Sequence, residues 1–159
     1  MLAGSVDDIL NLNAAAPVLV SACLAGVACR YNGLGAPHPV VLRLVAQGRA
    51  LLVCPEVLGG LAIPRAPVEL RAGRAVERGG RDVTAEFEAG ARKALKLALA
   101  AGCSRAILKA RSPSCGAGWV YDGGFCGVLT PGDGIFAALL QAQGFALCTE
   151  EDLPQEPGT

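Results

Sequence analysis

The stretch Ile107-Leu-Lys-Ala-Arg-Ser-Pro-Ser-Cys-Gly116 begins with a short apolar run and ends in a turn rich in serine, proline and glycine. Such a run, bounded by turn residues, is typical of a buried strand. Two earlier stretches have the same plan: Val18-Leu-Val-Ser-Ala-Cys23 and Leu51-Leu-Val-Cys-Pro-Glu56. The pattern therefore predicts three buried strands, each of which delivers a cysteine at its carboxyl end.

Helical patterns separate these strands along the chain. The expected strands cover 18–22, 51–53, 105–109 and 145–148, and the expected helices cover 39–47, 84–101 and 131–143, with Thr84 and Asp133 as N-caps. A small hairpin is expected around Gly73, a hairpin or loop element at 119–125, and an irregular loop at 56–67. Strands alternating with helices at this spacing predict an α/β, three-layer, Rossmann-like domain with a mostly parallel sheet of about four strands. We expect an N-terminal arm at 1–17, one domain at 18–150 and a C-terminal tail at 151–159.

Composition limits the classes of function. The 159 residues suffice for one domain with a sizeable core, which must be aliphatic because 52% of residues are hydrophobic and only 4% aromatic. Lys plus Arg equals Asp plus Glu at 14 each, which gives no support for a nucleic-acid or membrane surface. No apolar run is long enough to span a bilayer, and the N-terminus does not resemble a signal peptide. Seven cysteines, an odd number, favour a reducing compartment, so we expect a cytoplasmic protein.

The carboxyl ends of neighbouring parallel strands meet at one edge of an open sheet, where such folds place their ligands. We therefore expect Cys23, Cys54 and Cys115 to converge as a metal site. Three isolated cysteines fit a site with one open coordination position better than a closed structural zinc site, and thiolates select zinc or iron–sulfur clusters. The alternative is that each cysteine is a small buried hydrophobe, which is our interpretation of Cys103 and Cys148.

Polar residues near these cysteines are candidates for catalysis and substrate binding. Glu56 follows Cys54 by two residues and could activate a water as general base, or could instead be a solvated loop acid or a partner of Arg65. Ser112 and Ser114 could donate hydrogen bonds to substrate or cluster, or could cap the turn.

Lys109 and Arg111, at the end of the third strand, are candidates for orienting a substrate, the alternative being ordinary surface charge. The single histidine, His38, stands between two prolines and is interpreted as a turn residue rather than the partner of a nucleophilic cysteine.

Several long motifs in fixed order carry a resemblance to a known family. They are Val20-Ser-Ala-Cys-Leu-Ala-Gly26, Cys29-Arg-Tyr-Asn-Gly33, Cys54-Pro-Glu-Val-Leu-Gly-Gly-Leu61, Pro64-Arg-Ala-Pro67, Asp82-Val-Thr84, Leu108-Lys-Ala-Arg-Ser-Pro-Ser-Cys-Gly116, Tyr121-Asp-Gly123 and Gly132-Asp-Gly134. From about Val18 to Glu150 the chain resembles the small bacterial family typified by thiouracil desulfidase.

The resemblance implies an oxygen-sensitive [4Fe–4S] cluster held by Cys23, Cys54 and Cys115, with the fourth iron free to bind the sulfur of a thiolated uracil. It also implies attack of water on the ring carbon, with Glu56 as the acidic helper and Ser114, or less favourably Ser112, as a second helper. Sulfur would leave as hydrosulfide with no net redox change. The expected substrate-binding residues are Arg65, Lys109 and Arg111.

This sequence departs from the family pattern at a few positions. Ala25 stands where a leucine is common, and Gly124 and Cys126 stand where threonine and serine are common. Cys29 adds a fourth thiol whose role as a ligand stays open. Two alternative functions remain: a zinc-bound or metal-free module for a small ligand, and a persulfide relay that uses Cys115. A monomer or homodimer is expected with either function.

Overall fold

The central sheet of the protein has four parallel strands. The computed structural model describes residues 5–11 and 13–154, and its sheet has the order β2-β1-β5-β8. These strands are β1 (Val18–Ser21), β2 (Ala50–Val53), β5 (Arg105–Leu108) and β8 (Ala146–Thr149). The sequence-based prediction of a mostly parallel sheet of about four strands is thus confirmed.

Helices cover both faces of this sheet. They are α1 (Val6–Ile9), α2 (Pro39–Ala46), α3 (Pro55–Leu58), α4 (Thr84–Ala100) and α5 (Ile135–Ala142). Because side chains alternate along a strand, Leu19 packs against the α4 and α5 side, whereas Val18 and Val20 pack against the α2 side. The result is the expected three-layer arrangement, with one aliphatic core on each face of the sheet.

The connections reverse direction in the middle of the sheet. Strand β1 continues through α2 on one face to the edge strand β2, and β5 continues through α5 on the opposite face to the other edge strand β8. The crevice between the carboxyl ends of β1 and β5 is therefore the topological switch point, which is where open α/β sheets bind their ligands.

Two antiparallel hairpins lie outside the main sheet. The first joins β3 (Val68–Arg71) to β4 (Arg74–Glu77), as expected around Gly73, and the second joins β6 (Trp119–Tyr121) to β7 (Leu129–Pro131). The two hairpins contact one another through β3 and β6. Together they form a wall beside the carboxyl end of the sheet.

Local structure differs from expectation at three places. The expected irregular loop at 56–67 is wrong at its start, because α3 is a helical turn that begins with Pro55, a residue suited to a first helical position. Asp133 does not cap α5. Its carboxylate accepts a hydrogen bond from the Gly118 N–H at 2.8 Å, and Gly134 is the N-cap. Thr84 is the first residue of α4 rather than its cap, and its hydroxyl accepts from the Ala75 N–H.

Residues from both chain ends enter the core. Ile9 and Leu153, which flank the expected domain at 18–150, are both buried against the α2 face of the sheet. Parts of the expected arm and tail lie outside the described residues, namely 1–4, Leu12 and 155–159. Among the helices that the structure describes, none is long and apolar enough to cross a membrane.

Helices α3 and α4 touch through two glycines. A methyl group at Gly90 would lie 1.7 Å from the Pro55 carbonyl oxygen, and one at Gly59 would lie 2.0 Å from the Glu86 carbonyl oxygen. Neither position has room for a side chain, so backbone packs directly on backbone. Since α3 directly follows Cys54, this contact fixes where that cysteine lies.

The first prediction concerns Gly90→Ala. In an ordinary helix this change stabilises by about 0.5–1 kcal/mol, because glycine is the more flexible residue in the unfolded chain. Here we expect a loss of about 2 kcal/mol or more, because the methyl group forces α3 away from α4. Urea denaturation measures the effect, and Gly79→Ala, at an exposed position with open space, is the control. A Gly90→Ala protein as stable as wild type would contradict the proposed packing.

Candidate functional site

A cavity of about 450 Å³ lies at the switch point, over the carboxyl ends of β1, β2 and β5. Four thiols line it: Cys23, Cys29, Cys54 and Cys115. Cys23 lies in a 3-10 helix that continues β1, and Cys29 follows that helix. Cys54 directly follows β2, and Cys115 lies in the turn after β5. The structure therefore brings together the three cysteines that the strand pattern selected, and adds Cys29.

Cys29 connects two of the other thiols. Its side chain lies within hydrogen-bonding range of Cys23 and Cys54, and the first of these contacts is the main reason why its pKa is raised. The pKa of Cys54 is also raised well above its ordinary value, by the contact with Cys29 and by burial. Cys29 thus links Cys23 to Cys54, and all three bring soft donor atoms to the cavity.

Cys115 is the deepest of the four thiols. It is only 4% exposed, and burial raises the pKa of this thiol to about 12. The hydroxyls of Ser21 and Ser114 face it and offset part of this increase. Ser21 already accepts a hydrogen bond from the Lys109 N–H at 2.9 Å, so its own proton is free for the sulfur.

Ser112 and Ser114 have different roles in the turn. The Ser112 hydroxyl accepts hydrogen bonds from the N–H groups of Ser114 and Cys115 at 3.1 and 3.0 Å, so it caps the turn, although the residue also lines the cavity. The Ser114 hydroxyl is fully buried behind the cavity wall and meets no hydrogen-bond partner at regular geometry. A buried hydroxyl without a regular partner, next to a thiol, is a donor available to sulfur.

Glu56 lines the cavity and forms an ion pair with Arg65. The Arg65 Nε donates to Glu56 Oε1 at 3.1 Å, and both side chains are largely buried. Burial raises the pKa of Glu56, and the guanidinium opposes this effect. The carboxylate therefore keeps a cationic partner while one side faces the cavity.

Arg65, an expected substrate-binding residue, is not among the residues that line the cavity. Its remaining donors go to backbone carbonyls, with Nη2 to Cys29 O at 2.9 Å and Nη1 to Ala62 O at 3.1 Å. The Cys54 thiol points at the same Cys29 carbonyl, at 3.8 Å. Arg65 thus connects the Glu56 carboxylate to the backbone carbonyl of Cys29.

Lys109 and Arg111 do line the cavity, and each is paired with an acid that follows β8. The Lys109 Nζ lies 2.7 Å from Glu150 Oε2, and Arg111 forms an ion pair with Glu151. The charges that the sequence suggested for substrate binding are therefore partly neutralised by protein carboxylates.

The donor set fits an iron–sulfur cluster better than a single metal ion. Within residues 5–11 and 13–154, no three Cys, His, Asp or Glu side chains converge closely enough to chelate one ion. A cluster instead takes each cysteine on a separate iron, so its thiolates must be spread around a cavity. Four thiols around about 450 Å³, with hydroxyls facing one of them, meet that requirement.

Sequence reasoning missed the side of the cavity formed by the hairpins. Tyr31, Glu69, Arg78, Tyr121 and Phe125 all line the cavity. Tyr31 follows Cys29 by two residues, whereas the other four come from the two hairpins, and tertiary contacts bring those four to the thiols. Tyr31 and Tyr121 stand in two of the motifs that carry the family resemblance, and this signal could have drawn attention to them.

His38 is confirmed as a structural residue. It is the N-cap of α2, and its Nδ1 accepts a hydrogen bond from the Val40 N–H at 3.2 Å. It is not among the residues that line the cavity.

The fold and the site together define a class: an α/β protein with a thiol-lined cavity at the switch point of a parallel sheet. The chain belongs to the 2-thiouracil desulfurase family, whose model matches residues 18–152. The family resemblance noted in the sequence is thus confirmed.

Two relatives extend the comparison. The uncharacterized protein YbbK of Bacillus subtilis (strain 168) is 40% identical over 146 residues, which cover 86% of this chain and 97% of that protein. A solved structure of the [4Fe-4S]-dependent thiouracil desulfidase TudS is 46% identical, covers 87% of this chain and 93% of that one, and superposes with a TM-score of 0.83.

The second prediction tests the buried ion pair. Arg65→Met removes the cation and leaves Glu56 buried without its partner, so we expect a loss of about 3 kcal/mol in unfolding free energy. The double variant Arg65→Met/Glu56→Gln removes the uncompensated charge and should recover part of the loss. Urea denaturation of wild type, Arg65→Met, Glu56→Gln and the double variant gives the coupling energy, and additive effects of the two changes would show that the pair is not coupled.

Proposed function

We propose that this protein removes sulfur from a thiolated nucleobase such as thiouracil, by hydrolysis at a [4Fe–4S] cluster held by Cys23, Cys54 and Cys115. The observation that carries the proposal is the convergence of these thiols on one cavity at the switch point of the sheet. The 46% identity to a [4Fe-4S]-dependent thiouracil desulfidase supports the same chemistry.

The proposed reaction is a substitution with no change in oxidation state. A ring C=S group and one water give a ring C=O group and hydrogen sulfide, so neither an oxidant nor a reductant is needed. When bound by three thiolates, a [4Fe–4S] cluster supplies an iron with an open position, which acts as a Lewis acid toward the thiocarbonyl sulfur.

Glu56 is the proposed general base. A water that attacks the ring carbon must lose a proton, and Glu56 is the carboxylate two residues beyond a proposed ligand, in the cavity wall. Its contact with Arg65 holds it in one orientation, at 3.1 Å from the Nε. Arg65 acts through Glu56 and is therefore a positioning residue.

The hydroxyls and cations around the cavity complete the proposed site. Ser114 offers a buried hydroxyl to the sulfur side, while Ser112 shapes the turn that carries Cys115. Lys109 and Arg111 also line the cavity and orient the substrate through the donor groups that their carboxylate partners leave free. We further propose that the protein works in the cytoplasm as a monomer or homodimer; its seven cysteines are all free thiols, which suits a reducing compartment.

The alternative of a sulfur relay through Cys115 has less support. A relay nucleophile is an accessible thiolate with a lowered pKa. Cys115 is buried, and its pKa is raised rather than lowered. The alternative of a single zinc ion lacks three converging ligands among the described residues.

The third prediction tests the cluster and its ligands. Wild-type protein reconstituted without oxygen should be brown, absorb broadly near about 400 nm and release sulfide from thiouracil. Cys23→Ala, Cys54→Ala and Cys115→Ala should each lose most of the bound iron and the activity. Iron and sulfide analysis beside the absorbance spectrum gives the measurement.

Two matched variants sharpen this test. Cys126→Ala removes an exposed thiol that is not among the residues lining the cavity, and it should retain wild-type iron. Cys29→Ala should also retain iron if the ligand set is the proposed three, and loss of iron there would show a fourth ligand. Colourless wild-type protein after reconstitution would rule out the cluster and with it the proposed function.

The fourth prediction separates catalysis from cofactor binding. Glu56→Gln keeps the shape of the side chain but removes the base, so kcat should fall about 100-fold or more. Iron content and the absorbance spectrum should stay unchanged, because Glu56 is not a proposed ligand. Glu88→Gln, on the exposed face of α4, is the control for loss of one carboxylate. An unchanged kcat in Glu56→Gln would show that another group acts as the general base.

A further inference from the structure

Three of the seven aromatic residues of the chain line the cavity. The chain has four Phe, two Tyr and one Trp, yet both tyrosines, Tyr31 and Tyr121, and one phenylalanine, Phe125, line this one cavity. The other three phenylalanines, Phe87, Phe136 and Phe145, are buried in the hydrophobic cores. Phe125 is thus the phenylalanine that lies at the cavity rather than in a core.

Phe125 holds its ring there at the expense of a strained backbone. Its φ of 55° lies in the left-handed region, which is a genuine outlier for a bulky side chain. Such conformations persist only where the surroundings enforce them, and they cluster at ligand-binding sites. The neighbouring positions Gly123, Gly124 and Gly127 are all glycines, yet the strained position between them carries a phenylalanine.

A carboxylate from the other hairpin enforces this conformation. Glu69 Oε1 on β3 accepts hydrogen bonds from the N–H groups of Gly123 and Phe125, each at 3.0 Å. Arg71, on the same strand, donates to the Gly123 carbonyl at 2.7 Å. A methyl group at Gly123 would lie 2.8 Å from the Leu70 carbonyl oxygen, so the loop packs closely on β3.

Arg78 fixes the ring itself. Its guanidinium carbon lies 5.5 Å from the centroid of the Phe125 ring, a cation–π distance, and both residues line the cavity. Backbone and ring are thus both held before any ligand arrives. A planar group fixed in this way suits the recognition of a flat ligand, because little conformational freedom is lost on binding.

We propose that Phe125 is the residue on which the ring of the substrate stacks, and that it selects planar heterocycles over other thio-compounds. This inference rests on the proposed function and adds a specificity-determining residue to it. The two tyrosines are weaker candidates, because Tyr121 is engaged with Arg111 and Tyr31 is 41% exposed at the rim. Bases of every kind stack on aromatic side chains.

The fifth prediction tests the stacking residue. Phe125→Leu keeps apolar bulk and a non-glycine backbone but removes the aromatic face. In the cluster-loaded protein we expect KM for thiouracil to rise about tenfold with kcat within about twofold of wild type. The dissociation constant of the product uracil, measured by calorimetry, should rise by a similar factor. Phe125→Tyr should restore both values, and Cys126→Ser, outside the cavity wall, should leave both unchanged.

The outcomes separate this inference from the proposed function. A Phe125→Leu protein with wild-type KM and wild-type uracil affinity overturns the stacking role while desulfuration stands. A wild-type protein that binds uracil but releases no sulfide from thiouracil overturns the proposed function, and the uracil measurement then still decides the role of Phe125. A wild-type protein that binds no uracil, or a Tyr31→Leu change that weakens binding where Phe125→Leu does not, also overturns the inference.

Discussion

The site depends on the hydrogen-bonded register of β1 with both of its neighbours. Ser21 at the end of β1 pairs with Val53 at the end of β2, and Val20 pairs with Ile107 near the end of β5. This parallel pairing makes the three strands finish at one level, so the residues that follow them share one crevice. A slip of one residue would turn every side chain of a strand to the other face of the sheet. The side chains would then not fit the aliphatic core that is packed on that face.

A second constraint acts from behind the crevice. The close backbone contact between α3 and α4 leaves no room for a side chain at Gly90, and it holds the turn that starts just after Cys54. Arg65 then links Glu56 to the carbonyl of Cys29, so the acid and two of the thiols are positioned by one buried guanidinium. The orientation of Glu56 is therefore set by the residues packed around it rather than by its own segment of chain.

The sequence predicted the sheet and the convergence of Cys23, Cys54 and Cys115 because both follow from local patterns: short apolar runs, and a cysteine at the end of each. It offered Arg65 as a partner of Glu56 only as one alternative, because that contact depends on how the chain from 59 to 67 returns to α3. The position of Phe125 was hidden, since it is set by Glu69 on another hairpin, more than fifty residues away in sequence. Local periodicity carries no information on such contacts.

Topology, not burial, distinguishes the cysteines of the site from those of the core. Cys115 and Cys148 are equally buried, and burial raises the pKa of each thiol to about 12. Cys148, however, lies inside β8, paired with Ile107, and its side chain is packed into the core on the α2 face. Cys115 lies beyond the end of β5, where the chain has left the sheet and its side chain reaches the cavity. A thiol within a strand can only fill space, whereas the same thiol past the strand end can meet others, and that difference makes a metal centre possible.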